Sequence, residues 1–345
     1  MAGFIASAAF ASFFASLLVA GAMTPRLGPR VPVVLGLVTA VIGMGLVVLA
    51  DQVLWLALGT ALAATSAGFC WSPFNAAAEQ GIPEAERGRA LSIVSTGTTG
   101  GIVVAGVLAL MLSLLAYDWR AAWVLFVVCA LIAGLYNLWT LGVVSVGTND
   151  GPVGLMRSAR RLIHRQAWPL YGMAASFGLT SGVYLSFVAD YAEQAGGLAG
   201  LSANLTSPVL YIAIGIGGLI GLATAEIEHR IGLVWLVRGI FGVSTVSLLA
   251  AAFAPASWVG LVLSGAFQGA CIMMLSSIFA FWSDRLFPDL ASISLTAVLS
   301  FFAAGNVIGP ALGGAASDIW TMQATLVIAG GISALTVLVF PRPAG

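Results

Sequence analysis

No lysine occurs in the 345 residues; all thirteen basic residues are arginines, balanced by thirteen acidic ones, and only two histidines and three cysteines are present. Without lysine there is no Gly-x-x-x-x-Gly-Lys-[Ser/Thr] loop, which excludes that way of binding ATP. Cys70, Cys129 and Cys271 are odd in number and share no paired spacing, so they provide neither a disulfide framework nor a metal site and read as small packing residues. The net charge is zero and no basic face carries interleaved aromatics, which excludes nucleic acid as a partner. Paired carboxylates, a histidine cluster and an activated nucleophile are also missing, so an enzyme has little to work with, and no cofactor is implied. Charged residues make up only 8% of the chain against 60% hydrophobic. A water-soluble fold would lack a polar coat.

What is present is a series of long apolar runs, at a mean hydropathy of +1.05. They span roughly 3–23, 31–50, 53–78, 89–116, 119–142, 167–191, 205–225, 234–254, 257–282, 290–316 and 320–341, each able to cross a hydrocarbon core of ~30 Å as a helix. Helices satisfy the backbone in lipid, and the strand alternation of a barrel is missing. The expected fold is therefore an all-α membrane protein with eleven transmembrane helices. Arg26 and Arg30, Arg87 and Arg89, the cluster Arg157, Arg160, Arg161 and Arg165, then Arg230, Arg238, Arg285 and Arg342 lie at alternate breaks and mark a cytoplasmic face. Arg120 alone falls at the other set, with Asp51, Asp118, Asp190, Glu193 and Asp318. This orientation puts Met1 outside and Gly345 inside a cytoplasmic (inner) membrane.

The longest hydrophilic stretch divides the chain into 1–146, a central cytoplasmic loop 147–166, and 167–345. Arg26-Leu27-Gly28 recurs as Arg230-Ile231-Gly232 at an offset of 204, and Pro83 and Gly100 recur as Pro288 and Gly305 at 205. Asp118-Trp119 is echoed by Asp318 and Trp320. Matches in order at nearly one offset argue for two duplicated halves of parallel topology, five helices plus six.

These residues resemble a known family. Gly21-Ala22-Met23-Thr24-Pro25-Arg26-Leu27-Gly28-Pro29-Arg30 is similar to the signature between the second and third helices of the major facilitator superfamily, with Pro25 in place of the Asp and Pro29 in place of one basic residue. Pro83 with Arg87-Gly88-Arg89-Ala90 resembles the loop after its fourth helix, and Trp119 to Trp123 the opening of its sixth. Gly305 to Gly314, containing Gly309 and Pro310, is similar to a glycine-proline signature of antiporters, although the first-half counterpart, Gly97 to Gly106, has no proline. The resemblance implies twelve helices. Subtracting the repeat offset from Ala167 puts the equivalent helix start about 37 residues before Met1, so the first family helix is expected to be missing.

The resemblance also makes the third, sixth and ninth spans the lining of a central cavity. Polar residues form stripes on them at helical spacing: Thr65, Ser72, Asn75 and Glu79; Ser176, Thr180 and Tyr184; Ser264, Gln268 and Cys271. The second span has only Thr39. Hydroxyls on such stripes also serve to join helices, whereas the amides of Asn75 and Gln268 have more bonds to satisfy. Trp71 lies deeper than the tryptophans near span ends and is a stacking candidate as well as a packing one. The substrate candidates are Trp71, Ser72, Asn75, Thr180, Tyr184 and Gln268. Gating candidates are Gly21, Arg26, Gly28, Arg30, Arg87, Arg89, Arg230 and Gly232, as a latch of guanidinium groups on helix ends, and Gly305, Gly309 and Pro310, as a hinge whose alternative is close packing through small residues. No carboxylate, histidine or arginine falls in the middle third of a span, which leaves Asp190 as the candidate for proton coupling. The leading expectation is a monomeric secondary transporter of a small neutral or amphipathic solute, with protons as a candidate co-substrate and the lipid bilayer as its surroundings. A transport-incompetent carrier or sensor and a multi-pass membrane enzyme are the rivals.

Overall fold

The computed structural model describes residues 2–141, 162, 164–287 and 290–339, with some side chains inside α3, α4 and α11 and near the end of α1 left undescribed. In chain order the helices are α1 (Ala2–Leu27), α2 (Arg30–Leu49), α3 (Val53–Gly81), α4 (Glu84–Leu114), α5 (Trp119–Thr140), α6 (Trp168–Gln194), α7 (Thr206–Gly218), α8 (Thr224–Ile231), α9 (Leu233–Phe253), α10 (Trp258–Leu286), α11 (Ala291–Ile319) and α12 (Met322–Val339). No strand occurs among the described residues. A 3₁₀ turn, Leu219–Ala223, joins α7 to α8 within one crossing. Among the described residues ten helical segments have the length and apolar character to cross a membrane, and at the eleventh expected span stands a shorter apolar helix, Met322–Leu338.

Several helices outrun the apolar runs. α1 continues to Leu27 and carries Arg26 in its last turn, and the seventh run, expected to stop near 225, continues through the 3₁₀ turn to Ile231. Hydropathy falls where charged residues begin, but backbone hydrogen bonding does not have to stop there. Two glycines do stop it. Gly28 has φ +75° and Gly232 has φ +79°, the left-handed region that costs a residue without Cβ little. Gly28 N donates to Thr24 O at 3.0 Å and Gly232 N to Glu228 O at 2.8 Å. The repeated Arg-x-Gly ends a helix in both halves.

Within the first half α3 packs on α1 and α2, and α2 on α5; within the second, α6 packs on α11, α7 on α10, and α9 on α10 and α12. The halves meet chiefly along α1 with α11 and α4 with α7. Two apolar clusters fill the second half. Phe177, Phe241, Leu275, Phe279 and Val298 lie toward the arginine-bearing face, where Phe13 and Leu17 of α1 join them and Trp71 of α3 packs alongside. Phe187, Leu210, Leu248, Leu261 and Leu326 lie toward the opposite face. Most of the central loop lies outside the described residues, as do Met1, Arg157, Arg160, Arg161, Pro288 and the chain after Val339.

Candidate functional site

Between the two apolar clusters the second half has a polar waist. On α6 Thr180 and Tyr184 are one turn apart and fully buried, and on α10 so are Ser264 and Gln268. Ser264 Oγ donates to Ser247 O of α9 at 2.8 Å, and Ser247 Oγ donates to Ser264 O at 2.8 Å. With its proton committed there, Ser264 Oγ accepts from the hydroxyl of Tyr184 at 2.7 Å. Cys271 Sγ donates to Ile240 O. Because α10 runs antiparallel to α6 and α9, these contacts fix the register. One turn from the Tyr184 to Ser264 contact, Thr180 is level with Gln268; between Ser247 to Ser264 and Ile240 to Cys271, Ser244 is level with it too.

Most hydroxyls at this level are already satisfied. Thr180 bonds the carbonyls of Ser176 and Phe177, Ser176 Oγ meets Thr336 Oγ1 at 2.6 Å, and Ser333 Oγ bonds Phe241 O. The exceptions are Nε2 and Oε1 of Gln268, Oγ of Ser244, Oδ1 of Asn306 and, on α1, Oγ of Ser7, which the contacts of Gly3 with Pro310 and of Gly21 with Thr296 set level with Asn306; all are buried and without a hydrogen-bonding partner. Asn306, on α11, uses only its Nδ2, which donates to Phe302 O at 3.1 Å. Ser244, Ser247 and Asn306 are additions to the sequence-based candidates. Asn306 carried the stronger signal, a lone amide in an apolar span between Gly305 and Pro310.

The glycines around Asn306 hold α6 and α11 close. A Cβ on Gly305 would run into Ala175 O and one on Gly309 into Leu179 O; in return Gly178 faces Phe302 O and Gly182 faces Asn306. Gly3 and Gly21 of α1 meet α11 at Pro310 and Thr296. In the first half, Gly100, which matches Gly305 in the repeat, has nothing within 4 Å of such a Cβ, and neither have Gly97 and Gly101. Trp71 is half-buried against the cluster at the arginine-bearing side, its ring 6.3 Å from Phe13. The side chains of Ser72, Asn75, Arg87 and Arg89 lie outside the described residues.

At the arginine-bearing face Arg26 and Arg30 are exposed. Arg230 bonds Glu226 at 2.7 Å on its own helix, both side chains well exposed. Among the described residues the ion pair between helices at this face is that of Arg285, at the end of α10, whose Nη1 and Nη2 donate to Glu228 Oε1 and Oε2 at 2.9 and 3.1 Å. Asp190 sits exposed at the far end of α6, accepting from Gln194 Nε2 at 2.7 Å. A shallow crevice between α2 and α5, lined by Arg30, Val33, Leu37, Gly134 and Asn137 among others, has no room for even a water molecule and is distant from the waist.

The apolar helical segments, with a helix-ending glycine at matching positions of the sequence repeat, make a multi-pass membrane fold. A family model for the Major Facilitator Superfamily matches residues 1–244. The chain belongs to the major facilitator superfamily. Among curated proteins no sequence matches it. The crystal structure of the nucleoside transporter NupG is similar over 97% of this chain and 90% of that one, with a TM-score of 0.74 and 14% identity. That of the E. coli fucose:proton symporter FucP is similar over 98% of this chain and 90% of that one, with a TM-score of 0.64 and 16% identity. The chain is a membrane solute transporter by family, not an enzyme.

Proposed function

We propose that the protein is a secondary active carrier of a small neutral or amphipathic solute, working by alternating access between its two halves as a monomer in the cytoplasmic membrane. The observation that carries this reading is the waist: a buried amide and hydroxyl with no partner, held between apolar layers at mid-depth. Unmade hydrogen bonds in such a place are costly, and a solute that makes them offsets the cost. Thr180, Tyr184 and Gln268 are the second half's candidates for the solute site, and Trp71, Ser72 and Asn75 are those of the first. The solutes named for the two structural neighbours, fucose and nucleosides, are uncharged, which fits a waist whose described side chains carry no charge.

The arginine-bearing face is the cytoplasmic one in this reading. Gly21, Gly28, Gly232, Gly305, Gly309 and Pro310 shape the contacts and turns that shift as the halves rock, while Arg26, Arg30, Arg87, Arg89 and Arg230 act at the closed cytoplasmic side. Asp190 is the candidate proton carrier. Counterflow in proteoliposomes, with a panel of uncharged solutes, tests the reading. Saturable exchange that needs the protein supports it, and an acid-inside or acid-outside gradient that drives accumulation in wild type but not in Asp190→Asn assigns coupling. Insertion without exchange of any solute would overturn it.

A further inference from the structure

We infer that Gln268 reads its solute through one edge that sets a hydrogen-bond donor beside an acceptor, as in a carboxamide, lactam or imide, and that the rest of that solute is apolar. The inference rests on the carrier reading above and narrows it. Gln268 is completely buried, and neither Nε2 nor Oε1 has a partner. A primary amide offers donor and acceptor side by side, so a cis amide edge meets both at once. Around it the hydroxyls of Tyr184, Ser264 and Ser247 bond one another, and that of Thr180 bonds its own helix. Ser244 Oγ, Asn306 Oδ1 and, from α1, Ser7 Oγ are the other unpartnered polar atoms brought near this level, with Ser186 Oγ more than a turn further along α6.

The open side chains of the second half at this level, Gln268, Ser244 and Asn306, are fewer than the hydroxyls of a polyol, so some of those hydroxyls would stay unpaired against it. The neighbouring bulk is aromatic and aliphatic: Phe177, Tyr184, Phe241 and Leu275 are each buried to within a few per cent, and the rings of Phe177 and Phe241 meet edge to face at 6.1 Å. Such walls suit a planar or alicyclic body. No charged side chain among the described residues lies at this level, so an ionised solute would find no counter-charge.

Purified protein in detergent provides the test, with caprolactam and glutarimide as amide-edge probes and L-fucose and xylitol as polyols. Binding is read as a concentration-dependent rise in melting midpoint. The amide-edge probes are expected to stabilise the wild type, to bind Gln268→Met roughly ten-fold or more weakly, and the polyols to shift neither. Gln268→Met without probe should melt no lower than wild type, because it removes two unpartnered atoms at similar volume. Polyol shifts as large as those of the lactam, a lactam response that survives in Gln268→Met, no response from any probe, or a Gln268→Met protein that melts below wild type would each overturn the inference. Counterflow separates it from the broader reading. Amide-edge probes that bind but are not exchanged would sink the carrier reading and leave the binding site standing, whereas exchange of polyols alone would do the reverse.

Discussion

Arg285 and Glu228 stand 57 residues apart in the chain, yet their side chains form a forked pair with bonds of 2.9 and 3.1 Å that ties the end of α10 to α8. Glu228 is the better buried partner, with its side chain 16% exposed against 55% for Arg285. α8 follows the 3₁₀ turn, and Gly232 ends it, so the pair steadies a short segment bounded by two interruptions. Arg230, the residue that the repeat singles out, spends its charge on Glu226 one turn back.

Removing the forked pair should therefore matter more than removing Arg230. Arg285→Ala and Glu228→Ala are each expected to lower stability by about 1 kcal/mol, with most of the loss shared in the double variant. Arg230→Ala should cost less than about 0.5 kcal/mol. Melting in detergent checks the ranking, and additive losses from Arg285→Ala and Glu228→Ala would show that the two do not act together.

At the opposite face Arg120 serves a different end. Its Nε donates to Val48 O at 3.1 Å and its Nη2 to Ala50 O at 2.8 Å, so it closes the carbonyl end of α2 while its guanidinium stacks 4.5 Å from the Trp119 ring. Arg120→Ala is expected to destabilise by about 1–3 kcal/mol, and Arg120→Lys to recover little of it, since an ammonium has no planar fork to span two carbonyls. Full recovery by lysine would reduce the role of Arg120 to charge alone.

Much of this was legible in the sequence. The spans were, because lipid demands long apolar runs; so was the repeat that pairs Gly28 with Gly232, although their use as helix ends shows only in the backbone. Gln268, Thr180 and Tyr184 were found by helical spacing on otherwise apolar faces. Ser244 and Ser247 were not, since a serine in an apolar helix looks the same whether it bonds its own backbone or reaches across, and only the α9 to α10 register tells which. The pair of Arg285 and Glu228 was missed for the same reason: single-chain spacing ranks neighbours on one helix and is blind to neighbours on two. The latch expectation looked to Arg230, whose bond stays within α8.

Tyr184 and Ser264 give a graded test of the waist. Tyr184→Phe removes one donor, and Ser264 Oγ keeps its bond to Ser247 O, so the expected loss is about 1 kcal/mol. Ser264→Ala strips a partner from both Tyr184 and Ser247 and should cost more, about 2 kcal/mol. Equal small effects on the melting midpoint would mean that water reaches this level and replaces the missing partner.

The last expectation concerns the two glycine stripes that the repeat equates. Gly309→Ala places a methyl against the backbone carbonyl of Leu179, and Gly305→Ala one against that of Ala175. Backbone cannot swing aside as a side-chain tip can, so α6 and α11 must part, at an expected cost of about 1–3 kcal/mol for each. At Gly100 the same methyl meets nothing within 4 Å, and alanine is the better helix former by about 0.5–1 kcal/mol. Gly100→Ala should accordingly be neutral or stabilising in the protein as purified. Melting midpoints and resistance to thermolysin measured on the three variants decide the matter. If Gly100→Ala is as damaging as Gly305→Ala, then α4 has a close helical neighbour in the membrane at that stripe, just as α11 has α6.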